Sequence, residues 1–441
     1  MTILCSTPEE AFACLRSGDR IWCHSMAATP YSLFKALARQ VQHLNNIELL
    51  QLHLENAEAI CIPEVDGYLR HRCYFVSSST RQLVNQGKAD YVPMFLSEIP
   101  KLFRRGEQVI DVALIQVSPP DQHGNCSLGV SVEATLAACR AAKTVIAQIN
   151  PQMPRTHGDS VIPFKAIDYA LELSSPLPSH TPPVISEVYQ QIGLQVAELV
   201  RDGDCLQMGI GAIPDAVLTC LGGHQNLGIH TEMFSDGVLP LVDKGVINNS
   251  RKAIYVGRIV TGFVLGSRAL YDFVDDNPNV AFLDIEYVNN PSVIRKNPQV
   301  LSINSAIQID LSGQVCADSI GKQVYSGFGG QVDFVTGAQL SKGGRSIIAL
   351  PSTALQGKQS RIVPMLNQGA GVVTSRAQVD HIVTEYGIAS LRGCSLRERA
   401  QKLINIAHPK FREELAAQVF KLNSRVIRPS IPQSASLSTS C

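Results

Sequence analysis

Short apolar runs recur along this chain and alternate with stretches of helical period. VALIQVS (112–118), KTVIAQI (143–149), RSIIALPS (345–352) and HIVTEYG (381–387) read as strands, and SLRERAQKLINIA reads as a helix. Continuous apolar strands separated by helices predict parallel sheets covered on both faces. AIQIDLSGQVCAD (306–318) alternates around Ser312-Gly313 and predicts a hairpin. Ser395-Leu396-Arg397-Glu398 has the form of a capping box and is read as a helix start, without catalytic meaning.

One pattern occurs twice. LRSGDRIWCHSMAATPYSLFKAL (15–37) and VRDGDCLQMGIGAIPDAVLTCL (200–221) share a plan: apolar-Arg-x-Gly-Asp, a strand-like run, a loop of small residues, a proline and a helical pattern. Proline fits the first turn of a helix, where its missing N–H costs nothing. Each copy therefore opens a strand–loop–helix unit. Between them ELSSPLPSHTPPVISEV (172–188) reads as a linker, and RPSIPQSASLSTSC from 428 reads as a disordered tail. The expected fold is two similar open, parallel-sheet α/β domains, 1–180 and 181–427, followed by the tail. The first loop, Cys23-His24-Ser25-Met26, is bulky. The second, Met208-Gly209-Ile210-Gly211, opens the backbone to a ligand, which places the chemistry in the second half.

Composition narrows the classes. The 441 residues carry a formal net charge of zero, so nothing favours nucleic acid. Charged residues make up only 17% against 45% apolar, a sparse charge that points to burial in an oligomer. The N-terminal residues lack the pattern of a signal peptide, and no apolar stretch is long enough to span a bilayer. Twelve scattered cysteines without a CxxC pair fit a reducing cytoplasm.

The central puzzle is Glu232 in GIHTEMFSDG (228–237), an acid where an apolar run meets a polar loop. GIGAIP followed by an acid resembles a dinucleotide fingerprint, which would make Glu232 a ribose ligand and the protein an NAD-dependent dehydrogenase. Its sixth position, however, is Pro214 rather than glycine. His230 and Glu232 at i, i+2 also suit a metal, yet no PCxxC and no HExxH accompany them, so no metal is expected. A solvated strand-end glutamate is the third option.

Six further stretches stand beside these: YVNNPSVI (287–294), SGFGGQVDF (326–334), STALQGKQSRIVP (352–364), HIVTEYG, SPPDQHGNCSLG (118–129) and NPQMPRTHGDS (150–160). Together with GIGAIP and HTEMFSDG they resemble the acetyl-CoA hydrolase/transferase family, nearest its 4-hydroxybutyrate CoA-transferase branch, over all but the tail. The resemblance implies that Glu232 is a nucleophile carrying CoA as a glutamyl thioester, so that CoA passes between a short acyl-CoA and a free carboxylate such as acetate. Hydrolysis on the same scaffold is the alternative. It implies that Gly209, Ile210, Gly211, Ala212 and Ile213, with Gly327, Phe328, Gly329 and Gly330, line the CoA site and offer backbone N–H groups to oxyanions. Glu385 and Asn289 are expected beside the reacting group, and Lys358 near a CoA phosphate. Asp121, His123 and the MPRTHGDS loop are expected to shape the acyl or carboxylate pocket, with Arg155 either gripping a substrate carboxylate or closing a structural ion pair. No tightly bound cofactor, no membrane partner and a cytoplasmic homodimer complete the expectation.

Overall fold

The structure, a computed structural model, describes residues 1–181 and 184–424, with 419–424 as backbone alone. The expected tail from 428 lies outside the described residues.

Two parallel sheets carry the fold. In the first, eight strands run Ile3–Leu4, Tyr169–Glu172, Thr144–Ile149, Val112–Val117, Arg20–Cys23, Ile47–Gln51, Leu69–Cys73 and Asp90–Tyr91, every neighbouring pair parallel. In the second, the order is Gly228–Ile229, Cys205–Met208, Val300–Ser305, Arg345–Ala349, His381–Thr384 and Gly387–Ser390, with only the last pair antiparallel. The duplication is visible in the strand order. Each repeat strand has its immediate successor on one side and later strands in sequence order on the other, three in the first sheet and four in the second.

The repeated Arg-x-Gly-Asp has a local cause. Gly18 and Gly203 turn the chain at φ +86° and +82°, in the left-handed region that favours glycine. The aspartate then folds back, so that Arg16 N–H donates to Asp19 Oδ2 and Arg201 N–H to Asp204 Oδ2, each at 2.8 Å. The carbonyl of the same aspartate accepts from the next strand, from Glu48 N–H in one copy and Gly228 N–H in the other. The motif is thus a strand starter that fixes register. Helix Ala212–Thr219 contains Pro214 in its first turn, as the pattern predicts.

Strands Val112–Val117 and Arg345–Ala349 are buried at every position, the polar Gln116, Arg345 and Ser346 included, as strands covered on both faces require. Gln308–Asp310 pairs antiparallel with Val315–Cys316 around Gly313, giving the expected hairpin. Helix Leu396–Ile406 begins with the Ser395/Glu398 capping box, both of its bonds formed. The two halves share one apolar core, running from Trp22 and Ile115 to Val300 and Ile347. They also share a small sheet in which His157–Gly158 pairs with Val280–Phe282. The described cysteines are free thiols. No described helix is long and apolar enough to cross a membrane.

Candidate functional site

Ligands of open α/β sheets bind beyond the carboxyl ends of the strands, and the two glycine loops lie there. The Gly209–Gly211 loop follows strand Cys205–Met208 and leads into helix Ala212–Thr219, with Gly211 at φ +109° and ψ −176°, a conformation open to glycine alone. The Gly327–Gly330 loop leads into helix Gln331–Leu340. Each helix start presents backbone N–H groups with no intrahelical partner, at the positive end of its dipole. Together with Glu232 the loops line one cleft of about 200 Å³, to which Gly209, Ile210, Ile213, Gly327, Phe328, Gly329 and Gly330 all contribute. Ala212 lines an adjoining cleft of about 320 Å³, and Gly211 a third that shares Ile210 with both.

Glu232 is fixed through its backbone. Its carbonyl accepts from Gly262 N–H at 2.9 Å, Phe263 N–H at 3.2 Å and the Thr261 hydroxyl at 3.2 Å, while Met233–Phe234 pairs in parallel with Phe263–Val264. Its side chain is half-buried, and Oε2 accepts from Asn289 Nδ2 at 2.8 Å. Gly330 lies so close that an added Cβ there would overlap both Glu232 Oε2 and Asn289 Nδ2. Burial pushes the Glu232 carboxyl up to about 7, and the nearby Asp333 adds to this. The Asn289 amide and the Gly330 N–H act in the opposite direction.

The YVNNPSVI stretch divides its two asparagines. Asn290 caps helix Pro291–Ile294 by accepting from Ser292 N–H, whereas Asn289 is fully buried and reaches Glu232. His230 fastens this segment to the strand. Its buried ring is neutral, its pKa driven down to about 3 by burial with Lys252 nearby, and its Nε2–H donates to the Val288 carbonyl at 2.8 Å.

The packing bears on both other readings of Glu232. A ribose hydroxyl bonded to Oε2 would compete with Asn289, and His230 is turned onto Val288 instead of joining Glu232. Among the described residues no group of three or more His, Cys, Asp or Glu could hold a metal ion.

Several expected residues lie elsewhere. Glu385 accepts from Ser352 N–H at 2.8 Å and the Ser352 hydroxyl at 2.6 Å, tying the turn between the last two strands to the segment after Arg345–Ala349; it does not line the Glu232 cleft. Lys358 is exposed in the turn after Thr353–Ala354, outside the clefts at the glycine loops. The cation facing the adjoining cleft is Arg361. Arg155 is occupied by its own loops: its guanidinium meets Asp121 at 2.8 Å and the Asn125 carbonyl at 3.2 Å, so the ion pair is the alternative that forms. Neither Arg155, Asp121 nor His123 lines the Glu232 cleft.

The first half also lines the Glu232 cleft, through a residue the sequence did not single out. Phe75, just past the first-half strand Leu69–Cys73, packs on Gly327 and lines the cleft. Val76 N–H and Leu96 N–H donate to the carbonyls of Ser326 and Gly329, fastening the glycine loop to the first half. Phe75 carries no motif. Its only signal is the strand end it follows, which the topology places at the same edge as the glycine loops.

The chain's relatives agree with this architecture. Residues 4–175 match the acetyl-CoA hydrolase/transferase N-terminal domain and residues 266–419 the C-terminal domain. The chain is 50% identical over 409 residues to a 4-hydroxybutyrate coenzyme A transferase of Clostridium kluyveri, covering 93% of this chain and 95% of that one. It is 48% identical to a succinyl-CoA:acetate/propanoyl-CoA:succinate CoA transferase of Fasciola hepatica, covering 94% and 87%. The crystal structure of RipA from Yersinia pestis superposes with a TM-score of 0.90 at 36% identity, over 95% of this chain and 97% of that one.

Proposed function

Because the chain belongs to the acetyl-CoA hydrolase/transferase family, we propose that it is a CoA-transferase that moves CoA between a short acyl-CoA and a free carboxylate through a thioester on Glu232. The observation that carries this reading is the setting of Glu232. A half-buried carboxyl is held by Asn289 in a cleft bounded by two glycine loops, each opening a helix whose first N–H groups are unpaired.

The steps balance without any other reactant. A Glu232 carboxylate oxygen attacks the thioester carbonyl, and the C–S bond breaks to give a mixed anhydride and CoA thiolate. The thiolate attacks the glutamyl carbonyl and expels the first carboxylate, leaving glutamyl-CoA. An incoming carboxylate then runs the sequence backwards and departs as its own CoA ester. The thioester's energy is conserved because each step replaces one activated acyl bond by another. Developing oxyanions are met by the N–H groups of the loops, and the Asn289 amide orients the attacking carboxylate.

The substrate classes follow from the relatives' names: a 4-hydroxybutyryl or similar short acyl group, and acetate as acceptor. The adjoining cleft, with Arg361 and Tyr325 at its wall, gives the CoA moiety a route outward. Burial of the carboxyl and its closure by Gly330 limit water at the reacting atom, which favours transfer over hydrolysis.

A pH dependence follows. The nucleophile is the ionised form, and burial raises its pKa to about 7. Acyl-CoA consumption should therefore decline below about pH 7, approaching tenfold per pH unit. The same shift has a cost in stability. A carboxyl raised in the folded state favours the protonated form, so its contribution is present at low pH and is lost as pH rises through about 7. Initial rates with 4-hydroxybutyryl-CoA and acetate, varied together, should give the parallel double-reciprocal lines of a ping-pong reaction. Intersecting lines would reject the covalent route.

A further inference from the structure

Behind Glu232 lies a second carboxyl with a place in the same cycle. Asp333 occupies the first turn of helix Gln331–Leu340 and is 4% exposed. It accepts from the Ser97 hydroxyl at 2.9 Å and from Ser97 N–H at 3.3 Å, both from the first half of the chain. Asn289 faces it too, and this is the amide that donates to Glu232 Oε2. Asn289 has no exposed surface, and its Oδ1 has no partner among the described residues. Ser97, Asp333, Asn289 and Glu232 thus form a line from one half of the molecule to the reacting carboxyl. The ionisable groups facing Asp333 are Glu232 and Glu98, the latter paired with Lys101; no described cation contacts Asp333 itself.

Two carboxyls in one poorly solvated site oppose each other's ionisation, and their protons are lost as a pair. Burial pushes Asp333 up to about 7, close to Glu232, with Ser97 acting against the rise.

Building on the reading of Glu232 as nucleophile, we infer that Asp333 is a positioning residue for the transfer: anchored by Ser97, it holds the Asn289 amide against Glu232, and its charge alternates with that of Glu232 through the cycle. When Glu232 is esterified to CoA it is neutral, and Asp333 releases a proton to solvent. When the thioester is discharged and the Glu232 carboxylate returns, Asp333 takes a proton back. No net proton is consumed over a full turnover. Two negative charges therefore need not coexist behind the cleft in either resting form.

The test is the pH profile of the first half-reaction, measured as adduct formation from acyl-CoA without acceptor, for the unsubstituted protein, Asp333→Asn and Ser97→Ala. Asp333→Asn should move the acid limb to lower pH, because the singly ionised parent divides its charge between the two carboxyls and the variant leaves it on Glu232 alone. Ser97→Ala should move it the same way by less, since Asp333 then stays protonated to higher pH. A purely structural residue would lower the rate by one factor at every pH and leave the limb in place; that result overturns the inference. Should Asp333→Asn fail to fold, Ser97→Ala gives the same readout, and an unmoved limb again overturns it. Adduct on the unsubstituted protein with an unmoved limb in the variants rejects the role of Asp333 alone. Absence of adduct at every pH on the unsubstituted protein removes the reading of Glu232 with it.

Discussion

Glu232→Ala should yield a folded protein that retains CoA but exchanges acyl groups on the order of 10⁴-fold more slowly than its parent, the scale of loss when a covalent nucleophile is removed. Folding should survive because what fixes residue 232 is its backbone: three donors on its carbonyl and the parallel pairing of Met233–Phe234. The side chain is a source of strain rather than support, since burial holds its carboxyl near pH 7, well above the usual range. Removing it should leave the melting temperature unchanged or raise it at pH 8, where the parent must bury a charge. CoA retention is expected because the loops and Arg361 lining the two clefts are untouched. Glu232→Asp separates charge from reach. It keeps a carboxyl but withdraws it by one methylene, and a displacement of about 1 Å from attack geometry costs roughly 100-fold. Exchange rate, CoA titration and thermal melting read these outcomes together. A Glu232→Ala protein with parental turnover would pass the nucleophile's role to another group, and Glu385 would be examined next.

The second large effect belongs to a residue without a side chain. Gly330→Ala should lower turnover by roughly 100-fold, about 2.7 kcal/mol of transition-state stabilisation, with the fold intact. The backbone at Gly330 is at φ −97° and ψ 6°, which alanine can adopt, so conformational strain is not the cause. The cause is occupancy. The new methyl would fall on Glu232 Oε2 and Asn289 Nδ2, breaking the bond that aims the carboxylate. Gly329, at φ +54°, makes the useful contrast. A substitution there meets only the Phe75 ring edge at 3.6 Å and is disfavoured by its backbone, so it should cost stability more than turnover. Comparing kcat and melting temperature for the two alanine variants separates the two causes. Equal, purely thermal losses would mean that Gly330 is only a loop residue.

What the sequence made legible has a physical pattern. The parallel sheets were readable because strands buried on both faces are largely apolar, as Val112–Val117 is apart from Gln116, whose amide donates to the Ala28 and Thr29 carbonyls. The duplication was readable because Arg-x-Gly-Asp is a self-contained turn whose geometry depends on four consecutive residues. The capping box at Ser395 and the hairpin at Gly313 are local in the same sense. Glu232 and the glycine loops drew attention as an acid and bare backbone at strand ends.

Residues whose importance depends on distant partners were not readable. Asp333 looks like any helix-start acid until Ser97, more than two hundred residues earlier, is seen bonded to it. Phe75 acquires its place only when the halves close over Gly327. Lys358 and Arg361 lie three positions apart in one hairpin, and only the fold of that hairpin decides which faces a cleft. Arg155 was ambiguous between substrate and structure because the sequence does not show that Asp121 already occupies its guanidinium. The glutamate of TEYG was likewise placed by motif, whereas its hydroxyl partner, Ser352, comes from the neighbouring strand's end.

A thioester on Glu232 would be seen in the intact mass of the protein after mixing with acyl-CoA in the absence of any acceptor acid, at pH 8, above the raised pKa of Glu232. The expected result is a mass gain equal to CoA less one water, released by hydroxylamine, mapping to the peptide that contains Glu232, and discharged by added acetate with formation of acetyl-CoA. An unmodified mass under conditions in which CoA still exchanges between acids would contradict it.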